Sequence, residues 1–253
     1  MKIAIPGNRP KAMLWDLDGT IVDSAFYHKQ AWRDTFRGRG IDFTDDIYNF
    51  TLGRRNDEII YRYIRPDVSR EELNAIAAQK ERTFRRYIKN NIRPFPFAIE
   101  MIKLLAASEF QLAVVSSATI ENIRLITETL CIKSYFNLFV TGKDVVHGKP
   151  DPEGFLMAAK KLGVQPQNCI VVEDATTGVR AAKKAGMYCI AVTNTCLKQD
   201  LLEADVVVNR LDEITIPERF LDQIDGSISA VLASWKNKSR SKEDPAHSVF
   251  SSS

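Results

Sequence analysis

Ala12-Met13-Leu14-Trp15-Asp16-Leu17-Asp18-Gly19-Thr20 joins a short apolar run to a pair of acids. The run predicts a buried strand, and extended alternation sets Asp16 and Asp18 on one side of its carboxyl end. Gly19 permits a sharp turn, and Thr20 places a hydroxyl beside the acids. Open α/β sheets bind ligands at the carboxyl ends of their strands, so chemistry is expected here. One carboxylate of such a pair can act as nucleophile and the other as general acid/base, with Mg²⁺ holding the first ionised. An acidic turn without chemistry is the competing reading of the same residues.

Outward from this segment the chain changes character twice. Residues 25–93 have a helical pattern. Ser69-Arg70-Glu71-Glu72 forms a capping box, and Leu73, Ile76, Ala77, Phe84, Tyr87 and Ile88 follow at helical spacing. Arg93-Pro94-Phe95-Pro96 then breaks the helix and predicts a linker. Beyond it, apolar strands at Leu112–Val115, Leu138–Val140, Cys169–Val172, Cys189–Val192 and Val206–Val208 alternate with helices near 119–130, 152–162 and 177–185. Continuous apolar strands between helices predict an α/β, Rossmann-like parallel sheet covered on both faces. The strand before Asp16 joins that sheet. The expected organisation is a core of residues 1–24 and 94–233, with 25–93 as a small helical cap inserted after the first strand. An inserted segment at the mouth of a site is placed to act as a lid. Residues 234–253, rich in Ser and Lys and without periodicity, read as a disordered tail, with a basic docking tail as the alternative.

Composition narrows the class. The 253 residues allow one or two domains, and 45% hydrophobic with 26% charged residues is ordinary for a globular protein. A formal charge of +3 gives no case for nucleic acid but does not hinder an anionic substrate. Cys131, Cys169, Cys189 and Cys196 lack CxxC spacing and are expected to be buried thiols in a reducing compartment. No apolar stretch near the N-terminus suggests a signal peptide or membrane span, so a cytoplasmic location without membrane partners is expected.

Three more signals fall at strand ends. Leu112–Val115 runs into Ser116-Ser117 before a helix, a combination that can cradle an anion or simply cap the helix. Lys149 sits in Gly148-Lys149-Pro150-Asp151-Pro152, where the prolines fix the backbone around one point charge; a solvated loop lysine is the alternative. Glu173-Asp174 closes the Cys169–Val172 strand, offering oxygen ligands for Mg²⁺ beside Asp16 and Asp18, or a helix cap. Four such features in order, each ending an apolar run, are hard to reconcile with chance.

In these motifs the chain resembles the haloacid dehalogenase superfamily hydrolases. The residues concerned are Asp16-Leu17-Asp18-Gly19-Thr20, Ser116, Lys149 and Glu173-Asp174. The inserted helices, with Asp23 to Trp32, resemble the cap of the β-phosphoglucomutase-like branch. The resemblance implies that Asp16 attacks phosphorus while Asp18 protonates the leaving oxygen and later deprotonates water. It implies Mg²⁺ held by Asp16, the Asp18 carbonyl and Asp174, with Glu173 behind them. Ser116 and Lys149 would stabilise phosphoryl charge. The family's dehalogenases, ion-pumping ATPases and phosphonoacetaldehyde hydrolases carry Tyr, Thr and Ala respectively at position 18, so Asp18 points to phosphate esters.

Thr20 and Ser117 are further candidates for the substrate, and the resemblance adds His28 as a secondary catalytic or substrate residue, also readable as a solvent-facing helix residue. Gly53-Arg54-Arg55-Asn56-Asp57 resembles the cap's specificity loop; alternatively Asn56 or Asp57 caps a helix and both arginines stay solvated. Mutases of this branch carry a lysine before the cap glycine, an arginine three residues after it, and a lysine shortly after the strand-end serine. Here those places hold Leu52, Asn56, and Thr119 with Ile120. The expectation is a phosphatase of a small phosphorylated metabolite, with β-phosphoglucomutase and a non-catalytic binding protein as alternatives. It is expected to work as a monomer or weak homodimer.

Overall fold

The computed structural model describes residues 3–4, 11–108 and 110–215. The expected tail at 234–253 lies outside them. Six parallel strands form the central sheet: β2 (Ala12–Trp15), β3 (Gln111–Val115), β4 (Leu138–Val140), β5 (Cys169–Glu173), β6 (Tyr188–Val192) and β7 (Val206–Val208). Their spatial order is β4-β3-β2-β5-β6-β7. All five predicted strands and the one before Asp16 are present. A second, two-stranded sheet pairs β1 (Ile3–Ala4) with β8 (Ile214–Thr215), too short to leave a sequence pattern.

The strands are apolar throughout because both faces are covered. Met13 and Trp15 face one layer with Leu112, Val114, Ile170 and Val172, beneath α5 (Ala98–Ala107) and α6 (Ile120–Thr129). Ala12 and Leu14 face the other layer with Ala113, Val115 and Val171, beneath α7 (Glu153–Leu162) and α8 (Thr176–Lys184). Alternation along one strand thus serves two cores at once. Helix α5 was not anticipated, although Met101, Ile102, Leu104 and Leu105 carry its helical spacing just past Pro96.

Between β2 and α5 stand four helices: α1 (Ala25–Arg37), α2 (Asp45–Thr51), α3 (Asn56–Tyr63) and α4 (Arg70–Ile88). Ser69 caps α4 by accepting the Glu72 N–H at 3.2 Å. The Glu72 carboxylate turns to Arg65 at 3.5 Å, so only half of the expected box is seen. Trp32, Phe36, Ile47, Ile59, Ile60 and Ile76 form this bundle's own core. Its two connections to the sheet run side by side. Asp23 N–H donates to the Arg93 carbonyl and Phe95 N–H to the Ile21 carbonyl, each at 2.9 Å.

The cysteines depart from expectation. All four are free, and Cys169 and Cys189 are buried, but Cys131 is exposed and Cys196 only half-buried, because both sit in loops beyond the apolar runs. Among the described residues no helix is long and apolar enough to cross a membrane.

Candidate active site

Register brings the motifs together. Trp15 pairs with Val114 on β3 and with Val172 on β5. The residues that follow on the three strands therefore emerge side by side: Asp16 after β2, Ser116 after β3, and Glu173-Asp174 at the end of β5. Asp16 N–H still donates to the Val172 carbonyl at 3.0 Å, so the acid stands on the last rung of the ladder. Gly19, at φ +91°, makes the turn past Asp18. A Cβ there would lie 1.9 Å from Asp174 Oδ2, so only glycine lets the turn and the third acid share the space.

Lys149 lies in the middle of this group, almost wholly buried. Its Nζ donates to Asp16 Oδ1 at 2.5 Å, to the Val115 carbonyl at 3.0 Å, and to Glu173 Oε1. Burial alone would lower its pKa, but the Asp16 and Glu173 carboxylates hold it above the ordinary value. The carboxyls respond in the opposite sense. Burial and the neighbouring Glu173 and Asp174 raise Asp16 well above its ordinary range despite Lys149. Burial and Glu173 push Asp174 up to about 7, against the hydrogen bonds from Thr195 and Thr20. Three buried acids share one lysine, a deficit of positive charge that a divalent cation would fill. Their ligand oxygens lie within 4.8 Å of one another, and an all-oxygen set suits Mg²⁺.

Asp18 looks the other way, into the cap. Its Oδ1 accepts from Ser24 Oγ at 2.6 Å and from His28 Nε2 at 3.2 Å. Burial would raise its pKa, but His28 and Ser24 hold it below the ordinary value. Its carboxylate is not part of the three-acid cluster, so as a metal ligand it could serve only through its backbone carbonyl. His28 is clamped rather than solvent-facing. It stacks on Phe84 with ring centroids 3.8 Å apart, and Lys80 Nζ donates to its Nδ1 at 2.8 Å. With the Lys80 ammonium donating there, the ring proton sits on Nε2 and points to Asp18.

The remaining expectations divide. Ser116, Ser117, Gly53, Arg54, Asn56 and His28 all line the cleft with Asp16, Asp18 and Lys149. Ser116 is no helix cap; its Oγ accepts the Ala118 N–H at 3.1 Å, two residues before α6. Ser117 Oγ donates to the Gly53 carbonyl at 2.9 Å, tying core to cap. Arg54 pairs with Glu58 at 3.1 Å and stacks 4.3 Å from the Phe50 ring centroid. Thr20 does not line the cleft. It is fully buried, and its hydroxyl donates to Asp174 Oδ1 at 3.1 Å, which makes it an orienter of an acid rather than a substrate contact. Arg55 also leaves the cleft, because its side chain reaches across to the loop before Lys149.

Sequence reasoning missed the charges behind His28. Lys80 (2% exposed) and Glu81 (5%) sit in the middle of α4, with Lys80 Nζ 2.9 Å from Glu81 Oε1. Asn56 Nδ2 donates to Glu81 Oε1 at 2.8 Å, and Asn122 of the core donates to Oε2. A signal was present: Lys80 falls midway between Ile76 and Phe84 at four-residue spacing, a charge inside an apolar stripe.

Residues 13–192 match the model of the haloacid dehalogenase-like hydrolase family. Validoxylamine A 7'-phosphate phosphatase of Streptomyces hygroscopicus subsp. limoneus is 32% identical over 82% of this chain and 97% of its own length. Hexitol phosphatase A of Escherichia coli (strain K12) is 30% identical over 83% of this chain and 96% of its own. The crystal structure of β-phosphoglucomutase from Clostridium difficile superposes with a TM-score of 0.74. It shares 28% identity and covers 87% of this chain and 99% of its own. By family match and by architecture, the chain belongs to the haloacid dehalogenase-like hydrolases.

Proposed function

We propose that the protein is a Mg²⁺-dependent phosphatase of a small sugar phosphate, working through an aspartyl-phosphate. The observation that carries this reading is one cleft lined by both Asp16, held by Lys149, and Asp18, held by His28. Two phosphatases similar to this chain, validoxylamine A 7'-phosphate phosphatase and hexitol phosphatase A, support the substrate class. The four free cysteines fit a reducing compartment, and a cytoplasmic location is part of the same proposal.

Asp16 attacks phosphorus, and the bond from phosphorus to the sugar oxygen breaks as Asp18 delivers its proton to that oxygen. Asp18 is ionised in the free cleft, and an incoming phosphate dianion raises its pKa toward the acid form this step needs. In the second half Asp18, again a carboxylate, takes a proton from water as the water attacks phosphorus. Asp16 and inorganic phosphate are released. Lys149 and Ser116 meet the phosphoryl oxygens as charge moves onto them. Asp16 and Asp174, with the Asp18 carbonyl, would hold Mg²⁺, which when bound supplies positive charge to the nucleophile and the phosphoryl group. Glu173 is committed to Lys149 and to the N–H groups of Asp174 and Ala175, which suits a supporting role.

Hydrolysis rather than mutase transfer is supported by the far end of the cleft. A mutase must grip a bisphosphate, yet position 52 is Leu and Asn56 spends its amide on the Glu81 carboxylate. Each missing charged phosphate contact costs about 1.5–3 kcal/mol. The test incubates enzyme, Mg²⁺ and β-glucose 1-phosphate with a trace of glucose 1,6-bisphosphate, assaying inorganic phosphate and glucose 6-phosphate separately. Phosphate should dominate. Glucose 6-phosphate forming far faster than phosphate would reverse the assignment in favour of the mutase.

A further inference from the structure

Arg55 belongs to the cap but is lodged in the core. It stands at the N-terminus of α3, and its Nη1 donates to the Val145 carbonyl at 3.0 Å and the Val146 carbonyl at 2.8 Å. Its Nε donates to Asp57 Oδ1 at 3.0 Å, and Nη2 also pairs with Asp57, which fixes the plane of the guanidinium. The core is shaped to receive it. Around the side chain wraps the loop 141–149, whose last residue is Lys149. A methyl group on Gly148 would stand 2.7 Å from Arg55 Cδ and 2.9 Å from Glu58 Oε1. Gly148 is therefore glycine for room: its φ lies outside the left-handed region.

We infer that Arg55 is a positioning residue through which seating of the cap sets the loop that carries Lys149. Two carbonyls of that loop, three and four residues before Lys149, are held by a side chain that is present only when the cap is down. The loop's other anchors are internal to the core: Glu153 accepts the Val146 and His147 N–H groups, and Asp144 accepts the Thr141 N–H. Arg55 adds the single tie from outside seen among the described residues of this loop's 145–146 segment. With the cap raised, the backbone leading to Lys149 loses this tie, and only the Val115 carbonyl and Glu173 still steer its Nζ toward Asp16. With the cap seated, the lysine is aimed. The cap would then do more than cover the site, because its closure completes it. This inference rests on the role proposed above for Lys149, and not on any contact between Arg55 and substrate.

The test compares wild type, Arg55→Ala, Gly148→Ala and the double variant by hydrogen exchange and by kinetics. Fructose 1-phosphate and p-nitrophenyl phosphate serve as probe substrates. In Arg55→Ala, exchange in 143–148 should rise by about 10-fold or more, while β2 and β5 keep wild-type protection. Turnover should fall about 10-fold with KM within about 2-fold, the split expected when an interaction acts after binding. Gly148→Ala pushes Arg55 out and should reproduce both effects, yet add less than about 2-fold in the Arg55→Ala background. Unchanged loop exchange, unchanged turnover, or fully additive losses would each overturn the inference. If wild type turns over neither probe, the phosphatase reading is at fault, and the exchange results alone decide whether Arg55 couples cap to loop.

Discussion

Asp16 shows how a single side chain is prepared by its position. Lys149 gives it one positive neighbour, while Glu173 and Asp174 crowd it with negative charge in a buried pocket. An amide at this position keeps the shape and removes the proposed nucleophile. Asp16→Asn should therefore lower turnover by at least ~10³-fold, the scale seen when a catalytic unit loses one member. Stripping metal with EDTA should abolish activity in the wild type, and Mg²⁺ should restore it. Undiminished turnover in Asp16→Asn would remove Asp16 from the role of nucleophile, and undiminished turnover in EDTA would remove the metal requirement. At this scale Asp16, Ser116 and Asp174 were legible in sequence as cleft residues, because each ends an apolar run that register then aligns. Lys149 was legible from its Gly148-Lys149-Pro150 setting, although it lies in a loop nine residues past β4. Thr20 and Arg55 were not, since a hydroxyl or guanidinium beside a motif carries no mark of which way it points.

Helix α4 carries its own consequence. Its apolar stripe of Ile76, Phe84 and Ile88 is interrupted by Lys80 and Glu81, which are buried together beneath His28 and Asn56. Burial alone would raise the Glu81 pKa, but Lys80, His28 and Asn56 hold it at about 2 against an ordinary 4.5. A depressed folded-state value stabilises the fold fully above pH 4.5 and is lost as pH falls from about 4.5 toward 2. Glu81→Gln should be less stable than wild type at pH 7, and the gap should narrow as the medium is acidified below 4.5. Denaturant titrations followed by tryptophan fluorescence at pH 7 and pH 3 measure it. An equal gap at both would mean that Glu81 contributes no ionised partner to the cap. The start of α4 was readable from Ser69, but the helix stops at Ile88, short of the break expected at Arg93-Pro94. Its buried charges were not recognised, because a lysine in a stripe is explained only by partners from α1, α3 and α6.

Across the whole molecule the cap touches the core at several places: Ser117 with Gly53, Arg55 with Val145 and Val146, and Asn122 with both Glu81 and Arg85. The two connections at 21–23 and 93–95 are paired to each other, so any rigid rotation of the cap is concentrated there. Binding of a phosphate analogue such as beryllofluoride with Mg²⁺ should favour the seated state. Hydrogen exchange should slow in both connections and in the core segments facing the cap, and small-angle scattering should show a smaller radius of gyration. An analogue that binds while all of these stay as they were would rule out the lid.

The strands, their parallel packing between helices, the inserted helices and the acids at the strand ends were determined by local pattern alone, whereas the strand order around β2 was not. An apolar run of four or five residues between helices has few other ways to be buried. The division of labour within the site was decided only in three dimensions. Thr20 and Asp174 meet across 154 positions of sequence, Lys149 and Asp16 across 133, and Arg55 and Val145 across 90. Contacts over such distances depend on how the layers stack and where the cap comes to rest. Whether a serine caps a helix, a lysine is solvated or an arginine faces substrate is set by that packing, and a one-dimensional pattern does not encode it.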